Sequence, residues 1–220
     1  MKFSWPYLKS FFFEKVIERT SSPHNPVLEV WYANGKKLLH AQSVNLSFGE
    51  LDKVFRSAFS QLDIGKRAPE KVLLLGLGVG NVLAILEEVS PASQVTGVEI
   101  DAEVVRLGRN HFDLDRYGNV EVVIADAIDH VGACTDTFQM IVVDLFIDAL
   151  VPAGAEQEDF LRNLSELLAP GGILLFNRLM HSPALRQQSE EFSRKMITVL
   201  PGTKYLKAHK NRMLYYEKVK

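Results

Sequence analysis

The chain has 220 residues, 47% of them hydrophobic and 24% charged, with a formal net charge of -2. This is the composition of an ordinary globular protein, long enough for one good core. The near-neutral charge gives no reason to expect nucleic acid or an anionic membrane as partner, and the lone Cys134 excludes an intramolecular disulfide and a multi-thiolate metal site.

The opening stretch, MKFSWPYLKSFFFEKVIERTSS, carries an aromatic cluster at Phe11 to Phe13 that Glu14 and Lys15 follow at once. A signal peptide needs a longer apolar core and a small-residue cleavage site. No apolar run reaches the roughly 18 residues that span a bilayer, so the expected location is cytoplasmic. Residues 7–19 fit a short amphipathic helix stopped at Ser21-Ser22-Pro23. VLEVWYANGKKLLHAQS then alternates on both sides of Asn34-Gly35, a dipeptide that accepts the positive φ values of a type I′ hairpin turn. In FGELDKVFRSAFSQL, Leu51, Val54, Phe55 and Phe59 fall on one helical face.

From Lys71 the texture changes. KVLLLGLG, SQVTGVEI, NVEVVIAD, FQMIVVDLF and GGILLFN are apolar strand runs, and NVLAILEEV, AEVVRLGRNHF and EDFLRNLSELL are the helices between them. Near-continuous apolar strands joined by helices predict a parallel sheet covered on both faces. The tail TKYLKAHKNRMLYYEKV predicts an antiparallel hairpin at one edge. The fold class is therefore α/β, with a Rossmann-like, mostly parallel sheet over 67–220 and a small helix and β-hairpin segment over 1–66.

Gly76, Gly78 and Gly80 stand where the first of these strands hands over to its helix, with Val79 between the last two. Glycines there permit a tight turn and close approach of a ligand to the backbone. They also serve plain strand–helix packing. The dinucleotide fingerprint G-x-G-x-x-G requires its third glycine where Asn81 stands, so the loop suits an adenosyl cofactor without a pyrophosphate better than NAD. Glu99 ends the next strand, about 20 residues beyond the last glycine, where a carboxylate accepts hydrogen bonds from ribose hydroxyls. Asp126 and Ala127 end the third strand, where an adenine amino group is expected. His111, His130 and His181 show no metal-ligand spacing, and no metal is expected.

These motifs resemble the spermidine synthase branch of the class I S-adenosylmethionine-dependent methyltransferase fold. VEIDAEVVRLGRNHF is similar to that family's segment after the second strand. VVDLFIDALVPAG with FLRNLSELLAPGGILLFN resembles its fourth strand, active-site loop and the elements beyond, and the N-terminal hairpin with the helix from Gly49 resembles its small β-domain. The resemblance covers about residues 27 to 180 and extends to the aliphatic Leu74. It implies a nucleoside site built from Gly76, Gly78, Gly80, Glu99, Asp126 and Ala127, and catalytic carboxylates at Asp144 and Asp148.

The departures lie in the chemistry. The aminopropyl transferases carry Gly-Gly-Gly-Asp-Gly in the first loop, and Val79 replaces that aspartate. Their Asp-Glu-x-x-Tyr-His-Glu helix becomes Leu51, Asp52, Phe55, Arg56 and Ser57. Their Asp-Ser-Ser-Asp-Pro becomes Asp144-Leu145-Phe146-Ile147-Asp148. A diamine needs carboxylates and aromatic faces around it, so these changes point away from polyamine synthesis. Asp144 could take a proton from an attacking amine or hydroxyl, or cap the turn that follows it.

The expectation is a transferase, specifically a methyltransferase using S-adenosylmethionine on a small-molecule acceptor, with Val79, in place of the family's aspartate, letting the site accept ordinary S-adenosylmethionine at least as well as the decarboxylated form. The alternatives are an aminopropyltransferase with an unusual acceptor, and an inactive nucleoside-binding protein whose loop 145–153 is an interaction surface. A homodimer is compatible with each.

Overall fold

The computed structural model describes residues 14–41, 44–45, 50–147 and 150–219. Its first element is a strand, β1 (Lys15–Thr20), where the sequence pattern suggested the end of a helix. Residues 7–13 of that expected helix lie outside the described residues. KVIERT is rich in β-branched residues and alternates between exposed and half-buried positions, a strand's period of two. It pairs antiparallel with β2 (Leu28–Ala33), and β2 with β3 (Lys36–Ala41). The β2–β3 turn is the expected one, with φ of 50° at Asn34 and 72° at Gly35. β4 (Val44–Asn45) completes a small antiparallel sheet in the order β1-β2-β3-β4.

Helix α1 (Glu50–Gln61) buries Val54, Phe55, Ala58 and Phe59 on one face, the spacing read from the sequence. After the short α2 (Ile64–Arg67) comes the main body: β5 (Lys71–Leu75), α3 (Asn81–Val89), β6 (Gln94–Glu99), α4 (Ala102–His111), β7 (Val120–Ile124), α5 (Ala127–Ala133), β8 (Phe138–Val143), α6 (Glu158–Leu167), β9 (Leu168–Leu179), α7 (Pro183–Val199), β10 (Lys204–Ala208) and β11 (Asn211–Glu217). The larger sheet has the order β10-β11-β9-β8-β5-β6-β7. From β9 to β7 neighbouring strands are parallel, while β11 and β10 form the antiparallel edge. This is the α/β fold expected, and no helix among the described residues is long and apolar enough to cross a membrane.

Both faces of the sheet's centre are buried, which is why β5 and β8 are apolar almost without interruption. Val72, Leu74, Met140 and Val142 join α1 and α3 in one cluster. Leu73, Leu75, Ile141 and Val143 join α5, α6 and α7 in the other.

A third cluster fixes the small sheet to the large one. Leu28, Val30, Leu39 and Ala41, on the inner face of β2 and β3, pack with Val104 and Leu107 of α4 and with Val79 of the glycine loop. Polar contacts rim this seam: Glu18 of β1 accepts from Arg106 and pairs with His111, each at 2.5 Å, and Thr20 donates to Glu103 at 2.7 Å. The small sheet is thereby seated directly over the turn that follows β5.

Candidate active site

The parallel strands all present their carboxyl ends on one side, and β5 is where the chain switches direction, with β6 on one flank and β8 on the other. A crevice at that switch point is where such sheets bind ligands. Here it is a cavity of about 350 Å³. Its wall on the β6–β7 side includes Glu99, Ile100, Asp126 and Ala127, and on the β8–β11 side Asp144, Asn177 and Asn211.

The glycine loop forms the floor. Gly76 has φ of 87°, and a Cβ there would lie 2.3 Å from the carbonyl oxygen of Asp144. Only a glycine lets β5 and the end of β8 run so close. The Gly78 N–H donates to Glu99 Oε2 at 2.9 Å, coupling this loop to the end of β6. Gly80 lies behind the cavity at the N-terminus of α3, where its Cα faces Leu114 and Tyr117.

Val79 is only 1% exposed and packs into the seam with the small sheet rather than lining the cavity. The expectation that its side chain selects the donor is therefore corrected. The positive φ values at Gly78 and Gly80 turn the residue between them toward α4 and β2. Arg56, read from sequence as a source of repulsion in the acceptor site, also faces elsewhere. Its guanidinium is held by Asp52 at 3.0 Å and by Glu88 at 2.6 and 2.8 Å, and neither Asp52 nor Arg56 lines the cavity.

Glu99 accepts from the backbone amides of Gly78 on Oε2 and Asp101 on Oε1 at 3.0 Å, and the Ile100 amide also favours its charged form. Burial nevertheless dominates and pushes its pKa above the ordinary carboxylate value. Asp126 caps α5 by accepting the Ile128 N–H at 2.7 Å. Asp144, on the loop leaving β8, accepts from the Asn177 side chain at 2.8 Å, and among the described residues no amide of the following turn donates to it. Burial raises its pKa to about 6; the Asn177 hydrogen bond opposes that rise, and the nearby Glu99 charge adds to it. Asp148, the other expected catalytic carboxylate, lies outside the described residues.

Sequence reasoning missed two features. Asn177, fully buried in β9, passes the Asp144 contact on: its Oδ1 accepts from Asn211 Nδ2 at 2.8 Å. An asparagine ending the apolar run GGILLFN was the available signal. The second is Asp101, 2% exposed, which accepts from Ser22 at 2.5 Å, Asn25 at 2.6 Å and the Glu103 N–H at 2.9 Å. It thereby holds His24 and Asn25 against the cavity. Asp101→Ala should lower stability by about 1–3 kcal/mol, since it strands half-buried donors and removes the cap of α4. A urea midpoint equal to wild type would show that the loop is held by other contacts.

Among the described residues, no group of three or more His, Cys, Asp or Glu side chains is placed to hold a metal ion.

Comparison with known proteins agrees with this architecture. Residues 60–208 match the model of the spermine/spermidine synthase domain. A probable polyamine aminopropyl transferase of Bifidobacterium longum is 29% identical over 150 residues, covering 66% of this chain and 33% of the relative. An eEF1A lysine and N-terminal methyltransferase homolog of Drosophila melanogaster is 28% identical over 134 residues, covering 56% of this chain and 20% of the relative. The chain thus spans less than half the length of these curated relatives. The crystal structure of a probable spermidine synthase from Corynebacterium glutamicum superposes with a TM-score of 0.74 at 23% identity, covering 92% of this chain and 80% of that one.

These matches overturn the expected methyltransferase. The domain model is that of the synthases, and aminopropyl transferases stand first among the relatives. The preference for ordinary S-adenosylmethionine falls with it. That preference rested on Val79, whose side chain is buried in the seam.

Proposed function

The chain belongs to the spermine/spermidine synthase domain family, and on that premise we propose that it transfers an aminopropyl group from decarboxylated S-adenosylmethionine to an amine. The observation that carries the reading is Asp144, a desolvated carboxylate with its pKa raised to about 6, across the glycine turn from Glu99. A base near neutrality suits proton removal better than an ordinary aspartate does.

The nucleoside half of the donor fits the β6–β7 side. Glu99 keeps acceptor capacity for a ribose hydroxyl beyond its backbone contacts, Asp126 and Ala127 meet the adenine, and Gly76 and Gly78 let the donor approach the backbone. The aminopropyl chain then extends toward Asp144. There the carboxylate takes one proton from the incoming ammonium. The freed nitrogen lone pair attacks the methylene carbon bound to sulfur, and the C–S bond breaks with its electron pair going to sulfur. The products are a secondary ammonium and the neutral thioether methylthioadenosine, and Asp144 returns its proton to solvent.

Mass spectrometry of the protein incubated with the decarboxylated donor and a panel of primary amines tests this. Methylthioadenosine and an aminopropylated amine are expected together. Donor recovered intact with every amine would leave a nucleoside-binding protein instead.

Glu99 is tested separately, through Glu99→Gln. Alanine would strand the Gly78 and Asp101 amides and disturb the loop itself, whereas glutamine keeps an acceptor and loses the second. Affinity for methylthioadenosine should fall about 5- to 150-fold, the equivalent of roughly 1–3 kcal/mol. Unchanged affinity by calorimetry would remove Glu99 from the ribose site.

A further inference from the structure

The β8–β11 side of the cavity differs from what a diamine requires. Its described wall is made largely of Leu51 and Val54 from α1, Phe146, Ile147 and Pro152 from the loop after β8, and Leu179 from the end of β9. Among the described residues three carboxylates line the whole cavity, Glu99, Asp126 and Asp144. Glu99 is turned to the glycine loop and Asp126 to the start of α5. That leaves Asp144 on this side, where the reacting nitrogen must come. Asp52 is paired with Arg56 outside the cavity. The remaining polar residues of the wall are Asn177, Asn211, His209 and Lys210, none of them an anion.

A diamine at neutral pH would place its second ammonium against this apolar surface. A desolvated cation that meets no carboxylate among the described residues is strongly disfavoured, and the ring of Phe146 offsets only part of that penalty. A hydrocarbon end group in the same place is favoured, each buried methylene strengthening binding about fourfold. We propose that the acceptor is a primary monoamine with an apolar body, not a diamine or polyamine. The inference rests on the aminopropyl-transfer reading for the identity of the reacting group, and on the wall composition for the rest of the molecule.

An isosteric pair tests it: n-hexylamine and 1,5-diaminopentane differ only in having a methyl or an ammonium at the far end. Calorimetric titration of each into the full chain saturated with methylthioadenosine should show n-hexylamine binding at least about tenfold more tightly. Equal affinities, tighter binding of the diamine, or no binding of either would overturn the inference. Leu51→Glu, which puts a carboxylate on that wall, should narrow or reverse the preference. Phe146→Glu provides the same test from the opposite element should the first variant fold poorly. A preference that both folded variants leave untouched would show that these side chains do not set it.

Turnover with the decarboxylated donor, run on the same two amines, separates this from the broader reading. Product from 1,5-diaminopentane but not from n-hexylamine sinks the monoamine inference and keeps aminopropyl transfer. Tighter binding of n-hexylamine with product from neither amine sinks aminopropyl transfer and keeps the preference of the pocket.

Discussion

Val79→Asp should destabilise the protein by roughly 3–5 kcal/mol, the cost of an unpaired charge in an apolar interior. Val79 is 1% exposed and surrounded by Leu28, Val30, Leu39, Ala41, Val104 and Leu107. A carboxylate there finds no cation or hydroxyl among these neighbours, so it stays protonated with its pKa raised or it opens the seam. Against a typical stability of about 5–15 kcal/mol, this is a large fraction of the whole. The small sheet should loosen first, because those residues are the apolar face by which it holds α4. Val79→Ala, which leaves a cavity but no charge, should cost less, about 1–3 kcal/mol. Urea titration followed by circular dichroism gives both values. If Val79→Asp folds as stably as wild type and instead shifts affinity toward the decarboxylated donor, the side chain faces the cavity and not the seam.

The contrast between the two readings of Val79 marks where sequence reasoning runs out. The strands of the large sheet were legible because burial on both faces demands unbroken apolar runs, and KVLLL and QMIVV satisfy that demand. Strand-end positions follow from those runs, so Glu99, Asp126 and Asp144 could be placed at one end of the sheet before any coordinates. The direction of a side chain inside a glycine turn is different. It depends on the positive φ values at Gly78 and Gly80, which no periodicity reveals. β1 was misread because KVIERT is short, and six residues allow either period. The Asn177–Asn211 contact was invisible for another reason: it depends on the antiparallel register in which β11 lies along β9, with Met213 opposite Asn177 and Asn211 opposite Leu179. Such long-range pairings leave no local mark. The same limit affected the chemistry, since replacing residues one by one against a family pattern assumed that each faces the ligand. Arg56 and Val79 do not.

Asp144→Asn should lower turnover about 100- to 10,000-fold, the usual contribution of a positioned general base, while affinity for methylthioadenosine stays within about twofold of wild type. The amide is isosteric and its oxygen still accepts from Asn177, so the geometry of the loop has no reason to change. The pH dependence provides an independent check. With its pKa raised to about 6, Asp144 is a competent base only above that value, so kcat/KM for wild type should fall as pH drops through about 6. Asn177→Leu removes the hydrogen bond that opposes the rise, and this limb of the profile should then move to higher pH. A residue that merely fills space would leave the profile where it was. Stability carries the opposite sign. A carboxyl whose pKa is higher in the folded than in the unfolded chain contributes stability that is complete below the unfolded value of about 3.8 and is lost as pH rises through about 6. Burial of Glu99 acts in the same direction. Asp144→Asn removes the Asp144 contribution, so at neutral pH the variant should be at least as stable as wild type, and the difference should shrink or reverse near pH 4. A variant that loses both turnover and fold at neutral pH would assign Asp144 a structural task. One that keeps full turnover would move the base elsewhere, with Asp148 the next carboxylate to test.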